Sequence, residues 1–166
     1  MGKRIFSKLL KDKEELVGAE IGVFRGDNAA DLLELDVKKL YLVDPYKQYS
    51  KYEASAEIWE GLEEAKKEAV EKLDKKRVKW LFLRSVAAAK KVKDSSLDFV
   101  YIDGNHAEEF VKQDIECWSK KVKRGGLVGG HDYDERHGVI PAVTEFAKEN
   151  DVEIETAGIE WWYWKK

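Results

Sequence analysis

The chain is poor in cysteine. Cys117 stands alone, so neither an internal disulfide nor a cysteine-based zinc cluster can form. Its place in the helical stretch "VKQDIECWSKKV" marks it as a packed or half-packed thiol without a functional role. Long apolar runs are also missing: nothing approaches the ~20 residues of a membrane span. The opening "MGKRIFSKLLKDKEEL" carries charges where a secretory signal needs its apolar stretch, so a cytoplasmic protein with no membrane partner is expected. A net charge of -3 excludes an overall basic surface, and nucleic acid is not an expected partner. The nearest Lys-rich segment, "EKLDKKRVK", reads as a solvated helix end. Proline is scarce at two residues and charged residues reach 38%, a Lys/Glu-heavy balance that bears on stability, as in hyperthermophile proteins, and not on function.

What is present is an alternation. At 166 residues the chain suits a single domain over residues 1–166, large enough to bury roughly two thirds of its unfolded surface around one core. Short apolar runs rich in β-branched and aromatic residues predict strands at 16–23, 39–46, 78–83, 97–103 and 126–133. Between the second and third, Ile58, Leu62, Ala65, Ala69 and Leu73 recur at helical spacing. Phe110, Val111, Ile115, Trp118 and Val122 do so after the fourth. The tail "VEIETA" and "IEWWYW" predicts an antiparallel pair. The expected fold class is α/β: a Rossmann-like doubly wound sheet, mostly parallel, with a C-terminal antiparallel hairpin.

In such sheets ligands bind beyond the carboxyl ends of the strands. After the first strand, Gly22 and Gly26 bracket a turn into a helix whose free N–H groups suit an anionic or carboxylate ligand, though a plain strand-to-helix turn would look the same. The second strand ends in Asp44, whose carboxylate can accept two hydrogen bonds from a ribose diol. The dinucleotide fingerprint needs a glycine at Phe24, which argues against NAD. The fourth strand, in "LDFVYIDGNH", exposes Asp103 and His106 at its tip, and the fifth runs into "GGHDYD".

These stretches carry a resemblance. "AEIGVFRGDNAADLL" resembles the first motif of class I S-adenosylmethionine-dependent methyltransferases, in the E-x-G-x-x-x-G form of catechol O-methyltransferases. "SLDFVYIDGNHAEEFVKQDIECWSKKVKRGGLVGGHDYDERHGVIPAVTEF" is similar to the carboxyl half of the small methyltransferases that include macrocin-type sugar O-methyltransferases and cephalosporin hydroxylase-like proteins. Together they cover most of residues 16–147. The resemblance implies that Glu20, Gly22 and Gly26 shape the methionine pocket and that Asn28 stands where a hydroxyl residue reaches its carboxylate. Asp44 would then hold the ribose, while Ser85 and Val86 would contact adenine.

The resemblance also implies that Asp103 binds Mg²⁺ and lies beside the methionine amino group, with His106 in the place of a catalytic lysine. A neutral imidazole suits that task near pH 7. Asp132 matches a second metal carboxylate, but the next ligand in those relatives is an asparagine and this chain has Tyr133. His131 or Asp134 would complete the shell, and a histidine would tilt the site from Mg²⁺ toward Mn²⁺, Fe²⁺ or Zn²⁺. All three histidines, His106, His131 and His137, fall on the two loops facing the acceptor. The activity so implied is O-methylation of a hydroxyl on a small molecule or sugar, with S-adenosyl-L-methionine as cofactor and Mg²⁺ or Mn²⁺ in assistance. A binding module without transfer, or a methyltransferase acting on a macromolecule, is the alternative. Tyr46, Tyr49, Tyr52 and Trp59 are candidates for a lid or acceptor wall, or else belong to a loop leading into an ordinary helix. "IEWWYW" offers either a surface for a homo-oligomer or packing against the sheet.

Overall fold

A computed structural model describes residues 4–49 and 60–166. The chain begins with α1 (Ile5–Leu10), β1 (Leu16–Ile21), α2 (Asp27–Leu33) and β2 (Val37–Val43). It continues through α3 (Leu62–Lys72), β3 (Val78–Leu81), α4 (Ser85–Ala89), β4 (Leu97–Ile102) and α5 (Glu108–Ser119). The last part holds β5 (Val122–Gly130), α6 (Val139–Asn150), β6 (Glu155–Ala157) and β7 (Glu160–Trp164). The seven strands form one sheet in the order β3-β2-β1-β4-β5-β7-β6. β1 to β5 are parallel, and β7 runs antiparallel between β5 and β6. This is the expected doubly wound sheet with its terminal hairpin.

Alternation along each strand builds two cores. In β4, Val100 and Ile102 point to the face covered by α4, α5 and α6, where Ile115, Trp118 and Phe146 pack. Phe99 and Tyr101 point to the other face, against Phe6 and Leu10 of α1 and Leu32 of α2. The Phe99 ring lies directly over Gly18: a β-carbon there would come within 2.1 Å of Phe99 Cζ.

Several boundaries move. Val122 opens β5 and does not close the preceding helix, because Lys121 N–H returns to Trp118 O and the chain then enters the sheet beside Leu97. Ile58, Tyr52 and Trp59 lie outside the described residues. Trp161 and Trp162 are buried against the sheet, which favours packing over a free surface. No helix among the described residues is long and apolar enough to cross a membrane.

The strand order reverses between β1 and β4, so their following loops part to opposite faces and open a crevice. Phe99→Ala, which empties the space over Gly18 at this central pair, should cost about 3–5 kcal/mol. Urea denaturation should show the lower midpoint with an unchanged slope.

Candidate active site

The parallel ladder runs one residue past each strand. Gly22 N–H donates to Val43 O at 2.9 Å, Asp103 N–H to Ile21 O at 2.7 Å and His131 N–H to Ile102 O at 3.1 Å. Gly22, Asp103 and His131 therefore stand in register at the head of the sheet. Gly22 has φ +85°, and a β-carbon there would lie 2.0 Å from Asp103 O. Only glycine satisfies both the turn and this approach.

The cavity above this row, about 830 Å³, is within the range of a small-molecule site. Its loops are tied by Asp44. Asp44 Oδ2 accepts the N–H groups of Val23 and Phe24, both at 3.0 Å, and Oδ1 accepts that of Tyr46 at 2.8 Å. Phe24 and Tyr46 both have positive φ, so these bonds hold backbone that would otherwise relax. Of the roughly four lone-pair directions of a carboxylate, three are taken. At least one direction is left for a ligand donor. The Tyr46 hydroxyl donates to Phe24 O at 2.7 Å and its ring is buried, so Tyr46 is part of the loop core and not of a lid. Tyr49 does form a wall, edge-on to Phe110 at 5.7 Å and beneath the Arg84 guanidinium.

Glu20 lies at the cavity floor, only 2% exposed, and accepts a 3.0 Å hydrogen bond from Asn28 Nδ2. Its other oxygen and Asn28 Oδ1 are buried without a hydrogen-bond partner among the described residues. Asn28 is therefore turned to Glu20, which leaves less of its amide for a ligand carboxylate. Burial lifts the Glu20 carboxyl to about 8, against the lowering effect of the Asn28 bond. Ser85 is similarly engaged: its Oγ accepts from Trp118 Nε1 at 2.8 Å. Val86 is exposed and lines the cavity.

Beside Asp103 and His106, which line the cavity, four donor atoms converge. Asp103 Oδ1, Asp132 Oδ2 and His131 Nδ1 form a group whose members all lie within 4.8 Å of one another. His131 Nδ1 is 3.3 Å from Asp132 Oδ2 and 4.0 Å from Asp103 Oδ1. His106 Nε2 is 3.1 Å from Asp132 Oδ2 and 3.6 Å from Asp103 Oδ1, with neither contact in hydrogen-bond geometry. Ligand bonds near ~2.1 Å place neighbouring donors ~3 Å apart and opposed donors ~4.2 Å apart, so the spacing of Asp103, Asp132 and His131 fits one divalent cation. Asp134 is bonded at both oxygens by Arg136, and with Asp132 and His137 it forms a second group of the same kind. His137 packs edge-on against His106 at 4.8 Å. Tyr133 turns its N–H to Ile159 O.

The charges are mutually supporting. Burial alone would lower the His106 pKa, but the neighbouring Asp103, Asp132 and Asp134 outweigh it and the net shift is upward. Asp132 is held down at about 2, first by the His131 hydrogen bond and then by the nearby imidazoles, against the opposing effect of burial. Arg4, which no sequence pattern marks, joins the site from the start of α1. Its Nη1 donates to the Tyr101 hydroxyl and lies 3.4 Å from Asp103 Oδ2. Those partners are 97 and 99 residues away, so no local signal could have found them.

A family model for a methyltransferase domain matches residues 19–133. No curated protein matches the sequence significantly. Among solved structures, a protein from Streptococcus mutans assigned as a methyltransferase, in complex with S-adenosylhomocysteine (SAH), superposes with a TM-score of 0.73 at 16% identity, over 100% of both chains. A protein from Clostridium thermocellum assigned as an rRNA methylase gives 0.70 at 15% identity, over 98% of this chain and 94% of that one. The O-methyltransferase NovP gives 0.66 at 17%, over 95% of this chain and 75% of its own. At such identities the likeness establishes the fold.

Glu20 makes the site pH-sensitive in a way that can be measured. Between pH 4.5 and about 8 the folded protein keeps a proton on Glu20 that the unfolded chain has lost, so stability falls as pH rises through that window. Glu20→Gln should flatten the melting temperature across it and melt above wild type at pH 9. A residual slope at lower pH belongs to Asp114, which burial lifts to about 7.

Proposed function

The chain belongs to the methyltransferase-domain family as an S-adenosylmethionine-dependent methyltransferase, and from that premise we propose that it methylates a hydroxyl oxygen on a small molecule or sugar. One observation carries this reading: His106 and Asp103 line the cavity over the β1/β4 crevice, and the Asp132 carboxylate converges on the same His106 Nε2. A methyl carbon on a sulfonium needs only an aligned, deprotonated oxygen. Positioning then supplies most of the rate.

Each residue has a part. The turn at Gly22 and Gly26, with Glu20 and Asn28 below it, forms the methionine end of the cavity, and Asp44 takes a ribose hydroxyl. The cofactor, when bound, would supply the methyl group, the acceptor's O–C bond forming as the S–C bond breaks and SAH leaves. His106 Nε2 receives the acceptor proton. Asp103, Asp132 and His131 would hold a divalent cation that polarises the acceptor hydroxyl and offsets the carboxylate charge now favouring the imidazolium. His137 supports the His106 ring from the side. The likeness to an assigned rRNA methylase raises a macromolecular acceptor as a second reading. The net charge of -3 supports the small molecule instead.

Calorimetry should register SAH binding, with Asp44→Ala weakening it at least ~10-fold through the lost ribose bond and the loosened turn. A Mn²⁺ soak should give an anomalous peak between Asp103, Asp132 and His131, and carboxylates found turned apart would sink the cation reading. With hydroxylated sugars and catechols screened as acceptors, His106→Ala should keep SAH affinity but lower turnover by ~10²- to 10⁴-fold. SAH binding with no turnover on any acceptor would indicate a binding module.

A further inference from the structure

Methyl transfer as read above leaves Arg4 without a task, although it reaches Asp103 from the other end of the chain and lines the same cavity. It is anchored through both backbone and side chain. Glu160, 8% exposed at the start of β7, accepts the N–H groups of Ile5 and Phe6 at 3.3 and 3.1 Å, which ties the first turn of α1 to the sheet. The Arg4 guanidinium lies over the Tyr101 ring, 5.3 Å from its centroid, and Nη1 donates to the Tyr101 hydroxyl. Tyr101 is itself buried in β4. The guanidinium is therefore held by the sheet and not by a loose chain end.

Its position divides the two oxygens of Asp103. Oδ2 faces Arg4 Nη1 at 3.4 Å. Oδ1 faces the imidazoles, 3.6 Å from His106 Nε2 and 4.0 Å from His131 Nδ1. With Oδ2 engaged, the carboxylate has one oxygen to offer a cation, whereas an unrestrained aspartate can offer both. An arginine suits this restraint, because it stays charged and its planar fork has a fixed direction. One oxygen or two decides which ion fits: Mg²⁺ demands near-octahedral geometry at ~2.1 Å, while Ca²⁺ takes about 6–8 oxygens and accepts both from one carboxylate. We propose that Arg4 is a positioning residue that confines Asp103 to ligation through Oδ1 and thereby selects a small octahedral ion over Ca²⁺. This rests on the cation reading of Asp103, Asp132 and His131 and deepens it.

The test titrates the chelator-treated protein with Mg²⁺ and with Ca²⁺ by calorimetry, so no acceptor and no turnover are needed. Wild type should bind Mg²⁺ more tightly than Ca²⁺. Arg4→Ala should move the ratio of the two affinities toward Ca²⁺ by ~10- to 100-fold, the range for losing a group that orients a metal ligand. Loss of the Arg4 charge alone would tighten both ions alike, and a purely structural role would weaken both alike. Either leaves the ratio intact and overturns the assignment. Tighter binding of Ca²⁺ than of Mg²⁺ by wild type also overturns it, and needs no variant to fold. Failure of wild type to bind either ion would instead remove the cation reading beneath it.

Discussion

The site depends on how closely β1 and β4 run at the point where the sheet changes direction. Asp103 N–H bonds Ile21 O, and Gly22 passes so near Asp103 O that no side chain fits between them. Because that contact continues the ladder beyond the strands, the residues following β1, β2, β4 and β5 inherit the rigidity of the sheet. A histidine and two aspartates on separate loops would otherwise drift by more than a ligand bond tolerates.

Electrostatics then follows from placement. Asp103 and Asp132 bring two negative charges into a half-buried space, a costly arrangement unless positive charge is supplied. Arg4 takes one Asp103 oxygen, and His106 and His131 approach the inward oxygens. The same imidazoles that balance the carboxylates can hold a cation or carry a proton. Glu20 solves its burial differently, by remaining protonated and bonded to Asn28, so the cavity floor stays neutral in the free protein.

The cavity is correspondingly divided. Its central part is backbone, stitched by the three N–H bonds to Asp44, and it suits the polar ribose and methionine portions of a ligand. One end is a cluster of ionisable groups where chemistry can occur. Tyr49, Phe110 and Asp114 also line the cavity. Buried Trp118 on α5 bonds Ser85 on the cavity wall, so packing on that helix bears on the shape of the cavity.

Much of this was legible in the chain itself. Period-two alternation in "LDFVYI" and the helical spacing around Leu62 and Ile115 report local burial, which depends on neighbours within a few residues. Gly22, Asp44 and Asp103 announced themselves as strand-end residues for the same reason. Where local signals competed, tertiary contacts decided: Val122 fits a helical stripe, yet its partner Leu97 draws it into the sheet. Tyr46 looks like an exposed aromatic until its hydroxyl finds Phe24 O. Arg4 carries no mark at all, since its partners lie about a hundred residues away. The sequence by itself determined the alternation of elements and the chemistry available at each strand end. Only the folded sheet decided which of those groups meet, because their distances are set by strand order and not by spacing along the chain.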